Sequence, residues 1–128
     1  MNRDHFVEAL KTETSDSAVH GTMAWLSKPA GGAPARVKVE LSTWFNRLSD
    51  ADRQRIEQIV RESAELAVFN VLSLLDGMSF IDEGEQKGVL ELFYRRENER
   101  ILLNDPDAEY LHDVYNSKLT LSPTPNGD

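Results

Sequence analysis

The segment from Ser49 to Gly77 carries the strongest structural signal in the sequence. Ser49 is followed by Asp50 and Asp52, and this pattern is typical of a helix start. The serine side chain accepts a hydrogen bond from the amide three residues on, and the acids lie at the positive end of the helix. Gly77 is suited to the left-handed conformation that closes many helices. The pattern predicts one helix of about 26 residues, about 39 Å long.

The second half of this helix limits what the chain can fold into. Residues 50–63 are amphipathic, whereas nearly every residue from Ala64 to Leu75 is apolar. A helix that is apolar on every side is surrounded by other elements or by another subunit. We therefore expect this half to be the core helix, with Phe69 buried. Asn70 carries the one side-chain amide in this apolar stretch. If this side chain is buried, its amide group needs hydrogen-bond partners. We interpret it as fixing the register against a strand, with the lining of a small-ligand pocket as the alternative.

Shorter elements are predicted on both sides of the core helix. Helices are predicted at about 2–12, 17–28 and 39–48, with a polar break at 12–17, where Ser15 or Asp16 is the cap, and a Pro-Gly loop at 29–34. Strands are predicted at 78–81, 89–96 and 99–103, followed by a helix that starts at Asp105. The predicted fold is α+β and mostly helical. N-terminal helices and the core helix pack on a three-stranded antiparallel meander, and a C-terminal helix follows.

The length of 128 residues favours one globular domain, which we place at residues 1–119. Residues 120–128 have the composition of a disordered tail. The chain has no cysteine, a charged N-terminus and no run of 18 apolar residues. These features predict a cytoplasmic protein without a membrane span.

The formal net charge of −8 limits the classes of partner. Phosphate backbones and anionic lipid surfaces repel such a chain, so we expect neither nucleic-acid nor membrane binding. A protein partner, if there is one, should be basic. Solubility alone is the other explanation of the charge.

The spacing of the ionisable residues favours neither a catalytic site nor a metal site. The histidines at positions 5, 20 and 112 are not at ligand spacing. His112 and Asp113 are adjacent on a predicted helix, so their side chains should point in different directions and not pair. We expect no catalytic residue, no metal and no cofactor.

One acidic segment stands out as a partner-binding candidate. Asp105, Asp107, Glu109 and Asp113 follow one another without an intervening Lys or Arg. Asp105 is the predicted helix cap, and Asp107 lies near the positive helix end. The remaining negative potential can steer a basic partner onto this surface.

Residues 48–116 resemble a class of small bacterial proteins of unassigned function. The resemblance rests on the Leu-Ser-Asp-Ala-Asp-Arg helix start, the Ala-Val-Phe-Asn-Val-Leu-Ser-Leu-Leu-Asp-Gly core and the Leu-Leu-Asn-Asp-Pro-Asp turn. These motifs are structural, so the resemblance implies no site residues. Small acidic bacterial proteins of this type are often immunity proteins that neutralise a toxin, which is an analogy of type.

Three functional hypotheses follow from the sequence. The first is a non-catalytic interaction protein, an immunity or antitoxin-like inhibitor of a basic partner. The second is a small-ligand-binding or enzymatic domain with a pocket between core helix and sheet near Asn70. The third is a homodimeric structural protein that buries Trp25, Trp44 and Phe45 across a two-fold axis.

Overall fold

The computed structural model describes residues 1–119, which are mostly helical with one small sheet. The elements in chain order are α1 (Arg3–Lys11), a π-helix (Thr12–Asp16), α2 (Ser17–Ser27), α3 (Arg36–Asn46), α4 (Asp50–Leu75), β1 (Phe93–Arg96), β2 (Glu99–Leu102) and α5 (Leu111–Ser117). Within the described residues, no helix is both long and apolar enough to cross a membrane. The predicted tail at 120–128 lies outside the described part of the chain.

The mostly helical α+β class is confirmed, but the three-stranded meander is not. The sheet has two antiparallel strands, with Phe93 opposite Leu102 and Arg96 opposite Glu99. This register confirms the tight turn at Glu97-Asn98. Residues 78–81, predicted as a strand, form bends without strand pairing, and Phe80 and Ile81 are exposed. Their apolar side chains suit a strand, but no neighbouring strand pairs with their backbone.

The chain forms two compact units, which we describe separately. Of the described residues, the helical unit comprises 12–68, and the mixed unit comprises 1–11 and 69–119. The single domain expected over residues 1–119 stays a prediction.

In the helical unit, α2 packs against α3 around Val19, Leu26 and Phe45. The predicted polar break at 12–17 is wrong, because these residues continue the helix as a π-helix. Asp16 has helical backbone angles and makes no cap hydrogen bond. Its carboxylate instead lies 3.3 Å from the guanidinium of Arg61. The polar side chains of this segment form ion pairs and hydrogen bonds, so they do not interrupt the helix.

The two ends of α4 form as predicted. The Asp52 amide donates to Ser49 Oγ at 3.2 Å. At the other end Gly77 has a φ of 79°, its amide donates to Leu74 O, and the Met78 amide donates to Ser73 O at 2.9 Å. These two bonds are those of a Schellman motif, which satisfies the last carbonyls of a helix.

Within residues 1–119, other elements of the chain do not surround the second half of α4, so the first of the two alternatives that we expected is wrong; the second, another subunit, stays a prediction. Leu72 is the buried residue of α4, Phe69 is half-buried, and Leu66 and Val71 are 58% and 55% exposed. A helix of 26 residues spans about 39 Å, whereas the two strands have four residues each. Elements this short cannot cover the helix on all sides.

The core of the mixed unit lies between α1, the end of α4 and α5. Its fully buried apolar residues are Val7, Leu72, Leu103, Leu111 and Tyr115. Arg3 holds α1 in place because its Nε donates to Leu103 O at 2.8 Å and its guanidinium also donates to Glu109 O. Lys118 Nζ lies 2.8 Å from Asp4 Oδ1 and 3.2 Å from Glu8 Oε2.

Two neighbouring residues of α4 test the placement of this core. Leu72→Ala should lower the free energy of unfolding by about 2–5 kcal/mol, because it leaves a cavity beside buried side chains. Val71→Ala, on the exposed side, should change it by less than about 0.5 kcal/mol. Urea denaturation of the two variants measures the difference. Equal losses would show that the core has been placed on the wrong face of α4.

The ion pairs of Lys118 predict a stability that depends on pH. The hydrogen bond to Asp4 has the largest effect on the pKa of Lys118 and raises it above 10.5; desolvation, the next largest effect, lowers it, and the hydrogen bond to Glu8 raises it further. A raised pKa in the folded state means that the stabilisation is complete below pH 10.5 and is lost as the pH rises through the folded-state value. Wild type should therefore exceed Lys118→Met in stability at pH 8, and the two should converge above pH 10.5.

Lys118→Arg is the control, because arginine stays protonated throughout this range. Its advantage over Lys118→Met should persist at high pH in the same urea denaturation series. If the stability difference between wild type and Lys118→Met does not change with pH, the packing of the Lys118 side chain, and not its charge, is the source of the stabilisation.

Candidate functional site

The mixed unit contains a cleft of about 300 Å³ that is the best candidate for a functional site. The end of α4, residues 79–82 and 88–91, and residues around the end of β2 line it. Its apolar walls include Leu74, Leu75, Phe80, Val89, Leu90 and Leu102. This volume is at the lower end of the range for ligand pockets.

Asn104 is the buried polar residue of the cleft, with 7% of its surface exposed. Its Nδ2 donates to Leu75 O at 2.5 Å and to Leu90 O at 2.7 Å. Its Oδ1 accepts a hydrogen bond from the Leu92 amide at 2.8 Å. One amide side chain thus joins the end of α4 to the segment that leads into β1.

The same side chain determines where the sheet ends. The Leu103 amide donates to Leu92 O at 2.8 Å, and in a regular antiparallel ladder the Leu92 amide would donate back to Leu103 O. Here the Leu92 amide donates to Asn104 instead, and Leu103 O accepts from Arg3. This change of hydrogen-bond partners explains why β1 begins at Phe93 and not at the predicted Val89.

Asp76 contributes a buried carboxylate to the wall of the cleft, with its side chain 2% exposed. It accepts hydrogen bonds from the Leu111 amide at 3.0 Å and from the His112 amide at 2.8 Å. Tyr110, the residue before α5, makes no side-chain cap. Asp76 therefore caps α5 from a distant position in the chain, where a negative charge is favourable.

His112 completes this cluster. Its Nδ1 lies 2.7 Å from Asp76 Oδ2, and its ring stacks on Tyr110 and meets Phe69 edge to face, each at 5.2 Å between centroids. Its Nε2 lies 3.5 Å from Asp113 Oδ1, so the expectation that these adjacent side chains stay apart is wrong. The ring lies between two carboxylates and two aromatic rings, and its side chain is 12% exposed.

A closed loop at residues 82–88 begins and ends on residues that line the cleft, Asp82 and Gly88, and we call this edge the mouth. The Gly88 amide donates to Asp82 Oδ2 at 2.7 Å, and Lys87 Nζ donates to Asp82 O at 2.7 Å. Lys87 Nζ also lies 5.6 Å from the centre of the Phe80 ring. Beside this loop Phe80 is 56% exposed and Val89 is 85% exposed. Large apolar side chains therefore surround the opening.

The net charge of the chain is concentrated in the segment that contains all the residues lining this cleft. Residues 74–113 contain eleven acidic and four basic residues, a net charge of −7 out of −8 for the whole chain. Residues 12–68 contain eight acidic and seven basic residues. Within 74–113, the exposed acids include Asp82 and Glu91, which line the cleft, and Glu83 and Glu85 in the loop that joins Asp82 to Gly88.

The sequence-predicted partner residues lie in the same region, but not on one helix start. Asp105 lies in a turn, where its Oδ1 accepts the Asp107 amide at 2.9 Å and its carbonyl accepts the Ala108 amide at 3.1 Å. Asp107 and Glu109 are exposed, and Asp113 lies in the first turn of α5. The predicted helix start at Asp105 is wrong, because these bonds close a single turn and α5 begins at Leu111.

Asn70 does not take part in the cleft. The residue is exposed on α4 and does not line the cavity. The role that we expected for Asn70, a buried amide that fixes the register against a strand, belongs to Asn104. Among residues 1–119 no group of three or more His, Asp or Glu side chains is placed to hold a metal ion.

The roles of Asn104 and Asp76 in the cleft were not predicted from the sequence, although each residue has an unusual position in it. Asp76 places a negative charge at the C-terminal end of a helix, where the helix dipole disfavours it. An acid at such a position indicates a partner elsewhere in the chain. Asn104 directly follows the apolar pair Leu102-Leu103 at the end of a strand. A polar residue at this place is more easily read as the start of a turn.

Comparisons of the chain with protein-family models, with curated proteins and with solved structures find no match. The resemblance of residues 48–116 to small bacterial proteins therefore stays a prediction.

The two asparagines provide a matched test of this site. Asn104→Ala leaves two carbonyls and one amide without their partners, and each such loss costs about 1–3 kcal/mol. We expect a loss of at least about 3 kcal/mol in the free energy of unfolding, and faster hydrogen exchange at the Leu92 amide. Asn70→Ala, on the exposed face, should stay within about 0.5 kcal/mol of wild type. A larger effect at Asn70 than at Asn104 would contradict the structure of the cleft.

Proposed function

We propose that this protein is a non-catalytic, cytoplasmic interaction protein that binds a basic protein partner through the acidic surface around the cleft. An immunity or antitoxin-like inhibitor is the kind of protein that fits this description. One observation carries the proposal: an apolar cleft lies among residues that hold nearly all the net negative charge, and its buried polar groups are already paired within the chain.

The pairing of the polar groups favours protein binding over catalysis. Both amide protons of Asn104 are donated to backbone carbonyls, and its oxygen accepts a backbone amide. The oxygens of Asp76 accept from two amides and one imidazole. An acid–base group needs to reach a proton of the substrate. Neither side chain has such freedom, and ligand pockets rely on polar groups directed at the ligand.

The distribution of charge supports a basic partner. A net charge of −7 within 40 consecutive residues creates a local negative potential that accelerates encounter with a cationic surface. Asp107 and Glu109 have exposed side chains in this region. Their charges cost little to maintain in water, so they serve steering better than they serve stability.

Homodimerisation is the second candidate, and α3 supplies the observation that favours it. Val37, Leu41 and Trp44 follow the i, i+4, i+7 spacing of one helix face and are 61%, 41% and 41% exposed. Phe45 is buried within its own chain, and Trp25 is half-buried with Lys38 Nζ 5.3 Å from its ring centre. A dimer would use Trp44 rather than Phe45.

Charge reversal at matched positions tests the proposed function. The variant Asp107→Lys/Glu109→Lys should slow association with a partner purified from the native organism by about tenfold or more at low salt, and should weaken its salt dependence. Surface plasmon resonance over a series of salt concentrations measures both effects.

The control is Glu57→Lys/Glu62→Lys, which makes the same charge change at exposed positions of the helical unit. It should have a smaller effect on the association rate. If the two double variants slow association equally, only the total charge of the chain matters and the proposed surface is wrong.

A further inference from the structure

We infer that the cleft receives one large apolar side chain of the partner, an aromatic or a branched aliphatic residue, and that Lys or Arg residues on either side of it contact the acids at the mouth. This inference rests on the proposed function and adds the chemistry of the segment that is recognised.

The size of the cleft fits such a side chain. Its volume is about 300 Å³. In another protein an engineered cavity of about 150 Å³ lined by apolar residues admits benzene. The cleft is therefore large enough for an aromatic ring or a leucine with part of its backbone. Interfaces take most of their binding energy from a few large side chains that fill pockets of this kind.

The chemistry of the walls selects an apolar occupant. Leu74, Leu75 and Leu102 line the cleft, and the polar groups of Asn104 and Asp76 are turned to partners within the chain. A polar side chain that reached the leucine walls would lose its water without gaining hydrogen bonds from Asn104 or Asp76, which is unfavourable. An apolar side chain would gain the free energy of removing its surface and that of the walls from water.

The charge at the mouth determines what surrounds this residue. Residues 79–91 contain four exposed acids, of which Asp82 and Glu91 line the cleft and Glu83 and Glu85 lie in the loop after Asp82, and Lys87 is the one basic residue of this segment. Lys87 is itself exposed, donates to Asp82 O and lies over the Phe80 ring, and the four acids outnumber it, so the net charge of residues 79–91 is −3. The exposed charge at the mouth is therefore negative, and basic residues complement it. A second copy of this acidic region would be repelled.

Short peptides test the inference on the full-length protein. The probes are acetylated KKGWGKK, its alanine analogue KKGAGKK and the uncharged SSGWGSS, titrated into ¹⁵N-labelled protein and followed by NMR. We expect KKGWGKK to bind at least about fivefold more tightly than either analogue. Its chemical shift changes should include the Val89 and Leu90 amides and the Asn104 side-chain amide.

Matched variants identify the cleft as the source of this preference. Phe80→Ser/Val89→Ser removes two exposed apolar residues that line the cleft, and Ile59→Ser/Leu66→Ser removes two exposed apolar residues from the helical unit. The first should abolish the preference for tryptophan over alanine, whereas the second should retain it.

The other outcomes separate the inference from the proposed function. Equal, salt-dependent binding of KKGWGKK and KKGAGKK would overturn the inference and leave an acidic partner-binding surface. Equal binding of KKGWGKK and SSGWGSS would also overturn it, since the flanking charges would then contribute nothing. If no peptide binds at low salt, both the inference and the proposed attraction for a basic partner fail.

Discussion

The hydrogen bonds of the Asn104 side chain are the interaction on which the mixed unit depends. They connect the last turn of α4, the segment before β1 and the end of β2 at one buried point. The backbone between Gly77 and Leu92 forms no regular element, so its polar groups have few partners of its own. By accepting one amide and donating to two carbonyls, Asn104 satisfies this backbone where it leaves water. The cleft exists because a side chain, and not a third strand, fills this role.

Asp76, at the same place, accepts hydrogen bonds from the amides at the start of α5. A carboxylate at the end of α4 is unfavourable for that helix, but the same charge stabilises the start of α5. Its bonds to the Leu111 and His112 amides and to the His112 ring bring together residues that are 35 and 36 positions apart. Buried charge is tolerated when it is fully hydrogen-bonded. Both buried polar groups of the cleft are thus used to build it, which leaves an apolar surface for binding.

The sequence predicts what local signals determine. Ser49 and Gly77 mark the ends of α4, Pro29 limits α2, and Glu97-Asn98 gives the register of the hairpin. It does not predict contacts that depend on distant residues. Asn104 bonds Leu75 across 29 positions, and nothing near either residue indicates the other. The apolar half of α4 shows the same limit, because periodicity identifies apolar residues but not the elements that cover them.

The exposed apolar residues of the two units therefore lie in regions of different net charge, and this difference affects which surfaces they can contact. Around Phe80 and Val89 they lie in a region with a net charge of −7, where a like-charged surface is repelled and a basic one is attracted. On α3, the stripe of Val37, Leu41 and Trp44 lies in a region with a net charge of −1, where electrostatics neither favours nor prevents self-association. Specificity requires that wrong partners be disfavoured as well as right ones bound. If the cleft binds a partner as proposed, its own charge would meet that requirement, whereas the charge around the α3 stripe would not.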